Sequence, residues 1–273
     1  MWTVQDQYRN TEDYDFENSR YTQDIPLWVD VCRQAVTSGD SILDIGCGTF
    51  REGEVLARLA DETGFSLVGV DISSEMLNQA KIKIARLPLQ VQHRIHLING
   101  DIVDVLDGLG KFGAIIIPFN GFAHVVGVAT RRTILQSIWE HLRLGGIFLA
   151  DVFVPDVELL AGMRRYPKII YEEFSITDPH RKETLVRQVS GHYDNTTQLL
   201  ECMYYYQIYS TVGKGELLRD YCLPFVVQMT FPAEWELLLL QAGFKIEEKW
   251  GSYDKTLFGN GSKNMLFLCR KEE

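Results

Sequence analysis

The residues able to do chemistry in this chain cluster where short apolar, β-branched runs end. Ser41–Ile45 runs into Gly46-Cys47-Gly48-Thr49-Phe50-Arg51, where glycines let the backbone approach a ligand closely and the helix that follows favours an anion at its N-terminus. Ser66–Val70 ends on Asp71, a carboxylate able to accept both hydroxyls of a ribose. Ile95–Ile98 leads into Asn99-Gly100-Asp101-Ile102, where Asp101 can accept an adenine amino group, and Ala114–Pro118 leads into Phe119-Asn120-Gly121-Phe122-Ala123-His124. A glycine pair alone often only closes a tight turn, and an aspartate after a strand is often a helix cap. In register at the ends of successive strands, however, these groups describe a nucleoside pocket.

The elements that must hold them follow from periodicity. The apolar runs, continued by Gly146–Phe153, are short enough for buried strands, and helical patterns separate most of them. Leu77, Ala80, Ile84 and Leu87 follow the cap candidates Ser73 and Ser74 at three- and four-residue steps, and Ile25, Trp28, Cys32 and Ala35 share one face of a leading helix. Alternating strands and helices imply an α/β fold with a doubly wound parallel sheet. The pattern then changes: successive strands are expected around Ile169–Ile176, Leu185–Tyr193, Leu199–Tyr209 and Arg219–Phe231, separated by turns at Asp178-Pro179, Asp194-Asn195 and Gly213-Lys214-Gly215. The α/β pattern returns with a helix at Pro232–Ala242 stopped by Gly243, then strands near Lys245–Trp250 and Met265–Cys269. The expected organisation is a polar, tyrosine-rich segment over residues 1–23 that orders over cofactor or substrate, an α/β domain over 24–154 and 232–273, and an antiparallel β lid inserted over 155–231.

Composition narrows the partners. With 273 residues, 46% hydrophobic and 23% charged, the chain can bury a substantial core. Its apolar runs fall short of the roughly 18–20 residues that span a bilayer, and no signal peptide is visible at the N-terminus, so no membrane association and a cytoplasmic location are expected. A formal net charge of −10 without a basic stripe argues against nucleic acid. Cys32, Cys47, Cys202, Cys222 and Cys269 form no CxxC pair, against both a disulfide framework and a structural metal site.

Leu43–Gly48, Val70–Leu77 and Asn99–Ile102 resemble the first three motifs of the class I S-adenosylmethionine-dependent methyltransferases, and Leu142-Arg143-Leu144-Gly145-Gly146-Ile147-Phe148 is similar to that family's Leu-x-x-Gly-Gly turn into strand five. The resemblance implies a Rossmann-like sheet of seven strands, mostly parallel with the last antiparallel, and S-adenosyl-L-methionine as cofactor. It implies cofactor contacts from Gly46, Cys47, Gly48, Asp71, Ile72, Met76, Asp101, Ile102 and Phe119. Tyr14 and Tyr21 are candidates for the sulfonium side of the cofactor or the acceptor, and Arg20 or Arg51 for the methionine carboxylate, the alternative for each being a surface residue. Phe50 departs from the motif, which commonly has glycine there; its ring covers the methionine arm or packs under the leading helix.

Within the family, the tyrosine-rich leader and the antiparallel insertion are most like small-molecule N- and O-methyltransferases of the glycine and amino-sugar type. That likeness places His124 near the acceptor as base or orienting group, with Tyr21 beside it and Asn120 and Tyr205 as acceptor contacts. The alternatives are structural: a satisfied histidine, an asparagine capping the next helix, and an aromatic strand face packed against the main domain. The sequence Ile117-Pro118-Phe119-Asn120 lacks the Asn/Asp-Pro-Pro-Tyr motif of nucleic-acid amino methyltransferases. A homodimer, a peptide acceptor and a non-catalytic adenosine-nucleoside-binding protein remain open. An NAD(P) oxidoreductase is disfavoured because no Tyr-x-x-x-Lys pair follows the fourth strand.

Overall fold

The computed structural model describes residues 7–36, 39–163 and 168–272. They form two compact units: Tyr21–Val154 with the chain from Thr230 onward, and Pro155–Met229 with the chain up to Arg20. The strands in chain order are β1 (Ser41–Ile45), β2 (Ser66–Asp71), β3 (Ile95–Asn99), β4 (Phe112–Ile117), β5 (Leu142–Ala150), β6 (Lys168–Asp178), β7 (Glu183–Asp194), β8 (Leu199–Ser210), β9 (Leu217–Gln228), β10 (Lys245–Trp250) and β11 (Leu266–Arg270).

In the larger unit seven strands form one sheet in the order β10-β11-β5-β4-β1-β2-β3. β1 to β5 pair in parallel, while β11 runs antiparallel to both β5 and β10. The expected α/β fold with an antiparallel last strand is therefore present. Alternate residues of each strand feed opposite faces, as the two-residue strand period requires. Leu43, Ile45, Ile115, Ile117, Phe148 and Ala150 pack in one core with Trp235 and Phe244, whereas Ile42, Ala114, Ile116, Ile147 and Leu149 pack in the other with Trp28 and Leu56. Burial on both faces is why these strands read as continuous apolar runs. The strand order reverses between β1 and β4, which opens a crevice beyond their carboxyl ends.

The boundary of β5 differs from expectation. The strand starts at Leu142 rather than Gly146, because Leu142 pairs with Phe112 across a register irregularity before Ile147 pairs with Ala114. It ends at Ala150, not Phe153.

The smaller unit is an antiparallel sheet in the order β6-β7-β8-β9. Pro224 sits inside β9, which among the described residues pairs with β8 alone, so its missing N–H interrupts no second ladder there. The helix Thr11–Asn18 is tied to this sheet by two carboxylates on one helical face. Asp13 accepts from Arg181 at 2.9 Å, Arg219 at 2.6 Å and the Tyr221 hydroxyl at 3.0 Å. Glu17 pairs with Arg187 and accepts from the Tyr206 hydroxyl at 3.0 Å. Phe16, between them, joins Ile176, Leu185, Tyr206 and Ile208 in a small core.

The Phe50 ring turns inward. It is 1% exposed and packs with Leu27, Trp28, Val31 and Leu56, on the side of the leading helix Ile25–Ala35. Its backbone takes φ 65°, the left-handed conformation for which glycine is the usual choice. The ring fits because residue 53 has no side chain: a Cβ there would overlap the Phe50 ring. Gly53→Ala should therefore lower stability by about 1–3 kcal/mol in thermal unfolding, and cost almost nothing in a Phe50→Ala background. Equal costs in both backgrounds would show that the two positions are not coupled.

Candidate active site

The carboxyl end of β2 holds the turn that follows β1. Gly46 and Cys47 donate their N–H groups to the Val70 carbonyl at 2.8 and 3.2 Å. Asp71 then accepts from the Gly48 N–H through one oxygen and from the Ser73 N–H through the other, both at 2.8 Å. The helix Ser74–Ile84 is capped by Ser73, whose hydroxyl accepts from the Met76 N–H, so Asp71 is not the cap. Gly46 and Gly48 sit at φ 73° and 53°, and a Cβ built on Gly46 would meet nothing within 4 Å. Each Asp71 oxygen has spent one of two lone pairs and can accept again. Burial holds the Asp71 carboxyl above its ordinary range, against the two N–H donors.

Beside this turn lies a group of buried acids around one guanidinium. Asp24, fully buried, takes both terminal nitrogens of Arg51 at 3.0 and 2.6 Å and also accepts from the Trp28 indole at 3.1 Å. Arg51 further donates to the Tyr21 carbonyl and lies over the Phe119 and Tyr21 rings at 4.6 and 5.7 Å. Asp44 is fully buried, and neither of its carboxylate oxygens has a hydrogen-bond partner among the described residues. Burial first, then the neighbouring Glu52 and Asp71, hold its carboxyl far above the usual range, with Arg51 opposing.

The ends of β4 and β5 form the other wall. Phe119 and Asn120 take φ 51° and 59°, two successive left-handed residues without glycine, a costly conformation that clusters at functional sites. Asn120 precedes the 3₁₀ turn Gly121–His124 but makes no capping bond, and its buried side-chain oxygen has no partner among the described residues. Buried Arg131 braces this turn, donating to the Val125 carbonyl at 2.7 Å and the Thr230 hydroxyl at 2.6 Å with its guanidinium over Phe122. Tyr21 packs edge-on against Phe119 at 5.1 Å and donates its hydroxyl hydrogen to the Tyr253 hydroxyl at 3.0 Å. Tyr253 donates to Asp151 at 2.7 Å, and Asn264 donates to the other Asp151 oxygen at 3.0 Å. Burial pushes the Asp151 carboxyl up to about 6, against those two donors.

Residues 42–146 match the family model described as a methyltransferase domain. Residues 42–146 of the chain form a methyltransferase domain. A putative methyltransferase, YqeM, of Bacillus subtilis (strain 168) is 24% identical over 264 residues, covering 90% of each chain. The methyltransferase also shares its fold with the CcbJ methyltransferase from Streptomyces caelestis, at TM-score 0.75 and 20% identity over 99% of this chain and 98% of that one. CalS10, an amino pentose methyltransferase from Micromonospora echinaspora solved with S-adenosylmethionine bound, aligns at TM-score 0.68 and 17% identity over 97% and 98%. S-adenosylmethionine is the cofactor that CalS10 holds.

The open glycine turn, Asp44 without a hydrogen-bond partner among the described residues and the spare acceptor capacity of Asp71 fit that cofactor, which carries an ammonium and a ribose. Among the residues singled out from sequence, Tyr21, Gly46, Cys47, Gly48, Arg51, Asp71, Ile72, Asp101, Ile102, Phe119, Asn120 and His124 all lie in the larger unit, at or beside strand carboxyl ends. Met76 lies there too, with its side chain buried. Asp101 is exposed and caps the short helix Ile102–Val105 through the Val103 N–H, and the Ile72 carbonyl accepts from Asn99. The helix after the glycine turn begins at Gly53, and Arg51 precedes it with its fork engaged by Asp24.

Tyr14, Arg20 and Tyr205 belong to the smaller unit. There Tyr14 meets Tyr8 edge-on, Arg20 donates to the Thr177 carbonyl, and Tyr205 lies exposed opposite the packed face of Tyr206 and Ile208, near the Ser190 hydroxyl. Asp24, Asp44, Asp151, Tyr253 and Asn264 were not among the residues singled out. Asp44 and Asp151 carried a signal, each a carboxylate within or just after an apolar strand.

Because folding raises the Asp44 carboxyl above its unfolded value of about 3.9, the folded chain binds that proton more tightly, so stability contributed there is lost as pH rises above the ordinary aspartate range. Asp44→Asn removes this dependence. Thermal midpoints of the wild type should fall more steeply between pH 4 and 8 than those of the variant; parallel profiles would contradict the raised carboxyl.

Proposed function

We propose that this methyltransferase transfers a methyl group to a nitrogen or oxygen of a small molecule, and that the acceptor lies against Tyr21 and the turn carrying Asn120 and His124. The observation that supports this most directly is the Tyr21 ring on Phe119 at 5.1 Å, with the Tyr21 hydroxyl hydrogen committed to Tyr253. With its hydrogen so used, the Tyr21 oxygen is left to accept from an incoming N–H or O–H. Asn120 supplies on the same turn an amide oxygen that has no partner among the described residues, and His124 a ring nitrogen able to orient or relieve the acceptor of a proton.

When bound, S-adenosylmethionine supplies the activated methyl carbon. The chain's own residues hold it through the backbone of Gly46, Cys47 and Gly48, with Asp44 facing its ammonium group and Asp71 its ribose. Asp101, Ile72 and Ile102 then line the adenine side. Arg51 acts at one remove, fixing Tyr21 and Phe119 while Asp24 fixes it. Alignment of reactants held this way accounts for up to about 7–11 kcal/mol of a transfer barrier. The amino pentose methyltransferase CalS10 and the sugar N-methyltransferase KedS8, of the same fold, make amino sugars the first acceptors to try.

Isothermal titration with S-adenosylmethionine should show binding, weakened roughly tenfold or more in Asp71→Ala through loss of charge-assisted hydrogen bonds. Release of S-adenosylhomocysteine with a panel of amino sugars and small amines should follow, and His124→Ala should lower it on the order of a hundredfold with cofactor binding unchanged. Binding without turnover on any small molecule or peptide would mark a non-catalytic adenosine-nucleoside-binding protein. Turnover on peptides alone would overturn the small-molecule reading.

A further inference from the structure

Asp151, Tyr253 and Asn264 stand apart from the glycine turn, yet they form a continuous hydrogen-bonded chain with Tyr21. Tyr21 donates to Tyr253 at 3.0 Å and Tyr253 donates to Asp151 at 2.7 Å. Asn264 donates to Asp151 at 3.0 Å and to the Tyr253 oxygen at 3.3 Å. The donors all point one way, from the half-buried Tyr21 to the fully buried Asp151, and Tyr253 comes from the connection between β10 and β11, far from either in sequence. A buried carboxylate is costly unless it is used or fully paired, and one held by a tyrosine that is held by another tyrosine is built to exchange a proton with the outer end.

We propose that Tyr21, Tyr253 and Asp151 are a proton relay that drains the acceptor, with Tyr253 and Asp151 acting through Tyr21 rather than touching substrate. The inference rests on the methyl-transfer reading above. An N–H bond of a protonated amine breaks with its electron pair left on nitrogen. That proton binds the Tyr21 oxygen, the Tyr21 hydroxyl proton moves to Tyr253, and the Tyr253 proton moves to the Asp151 carboxylate. The amine ends neutral and able to attack, Asp151 ends protonated, and both tyrosines regain their hydrogens. His124 then orients the acceptor while the relay receives its charge.

The groups facing Asp151 agree with a base that works near neutrality. Burial raises its carboxyl to about 6, Tyr253 and Asn264 oppose that rise, Asp24 adds to it, and Arg51 opposes it. Arg51 also lies against Tyr21 and Phe119, so a cation borders the outer end of the chain.

The relay is tested on the full chain by NMR titration of ¹³C-carboxyl aspartate, with Asp151→Asn assigning the resonance. Should that variant not fold, Asn264→Ala assigns it, because loss of the amide donor shifts this carboxyl upward. Wild type should titrate near pH 6, Tyr253→Phe should raise the midpoint, and Tyr21→Phe should raise it by less, through the weakened Tyr253 donor. A midpoint in the ordinary aspartate range, or one that Tyr21→Phe leaves untouched, overturns the relay. This measurement needs neither cofactor nor acceptor, so its failure is distinct from failure of the methyl-transfer reading. With an amine that turns over, Tyr253→Phe and Asp151→Asn should slow kcat/KM at neutral pH and recover as pH approaches the amine's own pKa. Loss by an equal factor at every pH would mean that the two residues only support the fold.

Discussion

The pairing of Arg51 with Asp24 is the contact on which the carboxyl edge of the main sheet depends. Asp24 is fully buried, and a buried carboxylate is tolerated when a well-oriented partner and further donors satisfy it, here the Arg51 fork and the Trp28 indole. Arg51 then spreads its influence through low-dielectric surroundings. It opposes the raised carboxyls of Asp44, Glu52 and Asp151, and its planar face carries the Phe119 and Tyr21 rings. A lysine could place a charge there but neither fork two oxygens nor stack on two rings.

Around that pair the backbone is held in costly conformations. Phe50, Phe119 and Asn120 all take positive φ, and all lie just beyond the carboxyl ends of β1 or β4, where the strand order reverses. Each is over-determined by its neighbours: Phe50 by its ring in the core above Gly53, Phe119 by Arg51 and Tyr21, and the turn after Asn120 by Arg131. Strain that persists in this way is an expense met by surrounding packing, and it fixes which groups face the crevice.

Much of the frame was legible in sequence because its signals are local. The glycines after β1, Asp71 closing β2 and Ser73 capping the next helix all lie within a few residues of the elements they serve. The sheet strands showed as apolar runs because both faces are covered. What could not be read depended on contacts between distant segments. The function of Arg51 turned on Asp24, which reads locally as a cap before the leading helix but makes no capping bond. Phe50 posed two alternatives that only the fit of its ring above Gly53 decides. Tyr253 and Asn264 have no local pattern, since Tyr253 reaches Asp151 across a separation of 102 residues.

Asp151 shows why the missing part matters chemically. Within Gly146–Phe153 it is a polar interruption of a strand, and the strand's early end at Ala150 turns that interruption into the first residue at the carboxyl edge, beside the turn after β4. The same sheet position that places Asp71 after β2 thus places a second carboxylate after β5, with opposite wiring. Asp71 is bonded by backbone N–H groups, which hold it as an acceptor. Asp151 is bonded on one oxygen by the Asn264 amide and on the other by a phenol whose hydrogen can move. Fixed donors suit a carboxylate that binds, and a mobile one suits a carboxylate that titrates, so two residues of one type at one edge divide binding from proton handling by the nature of their donors.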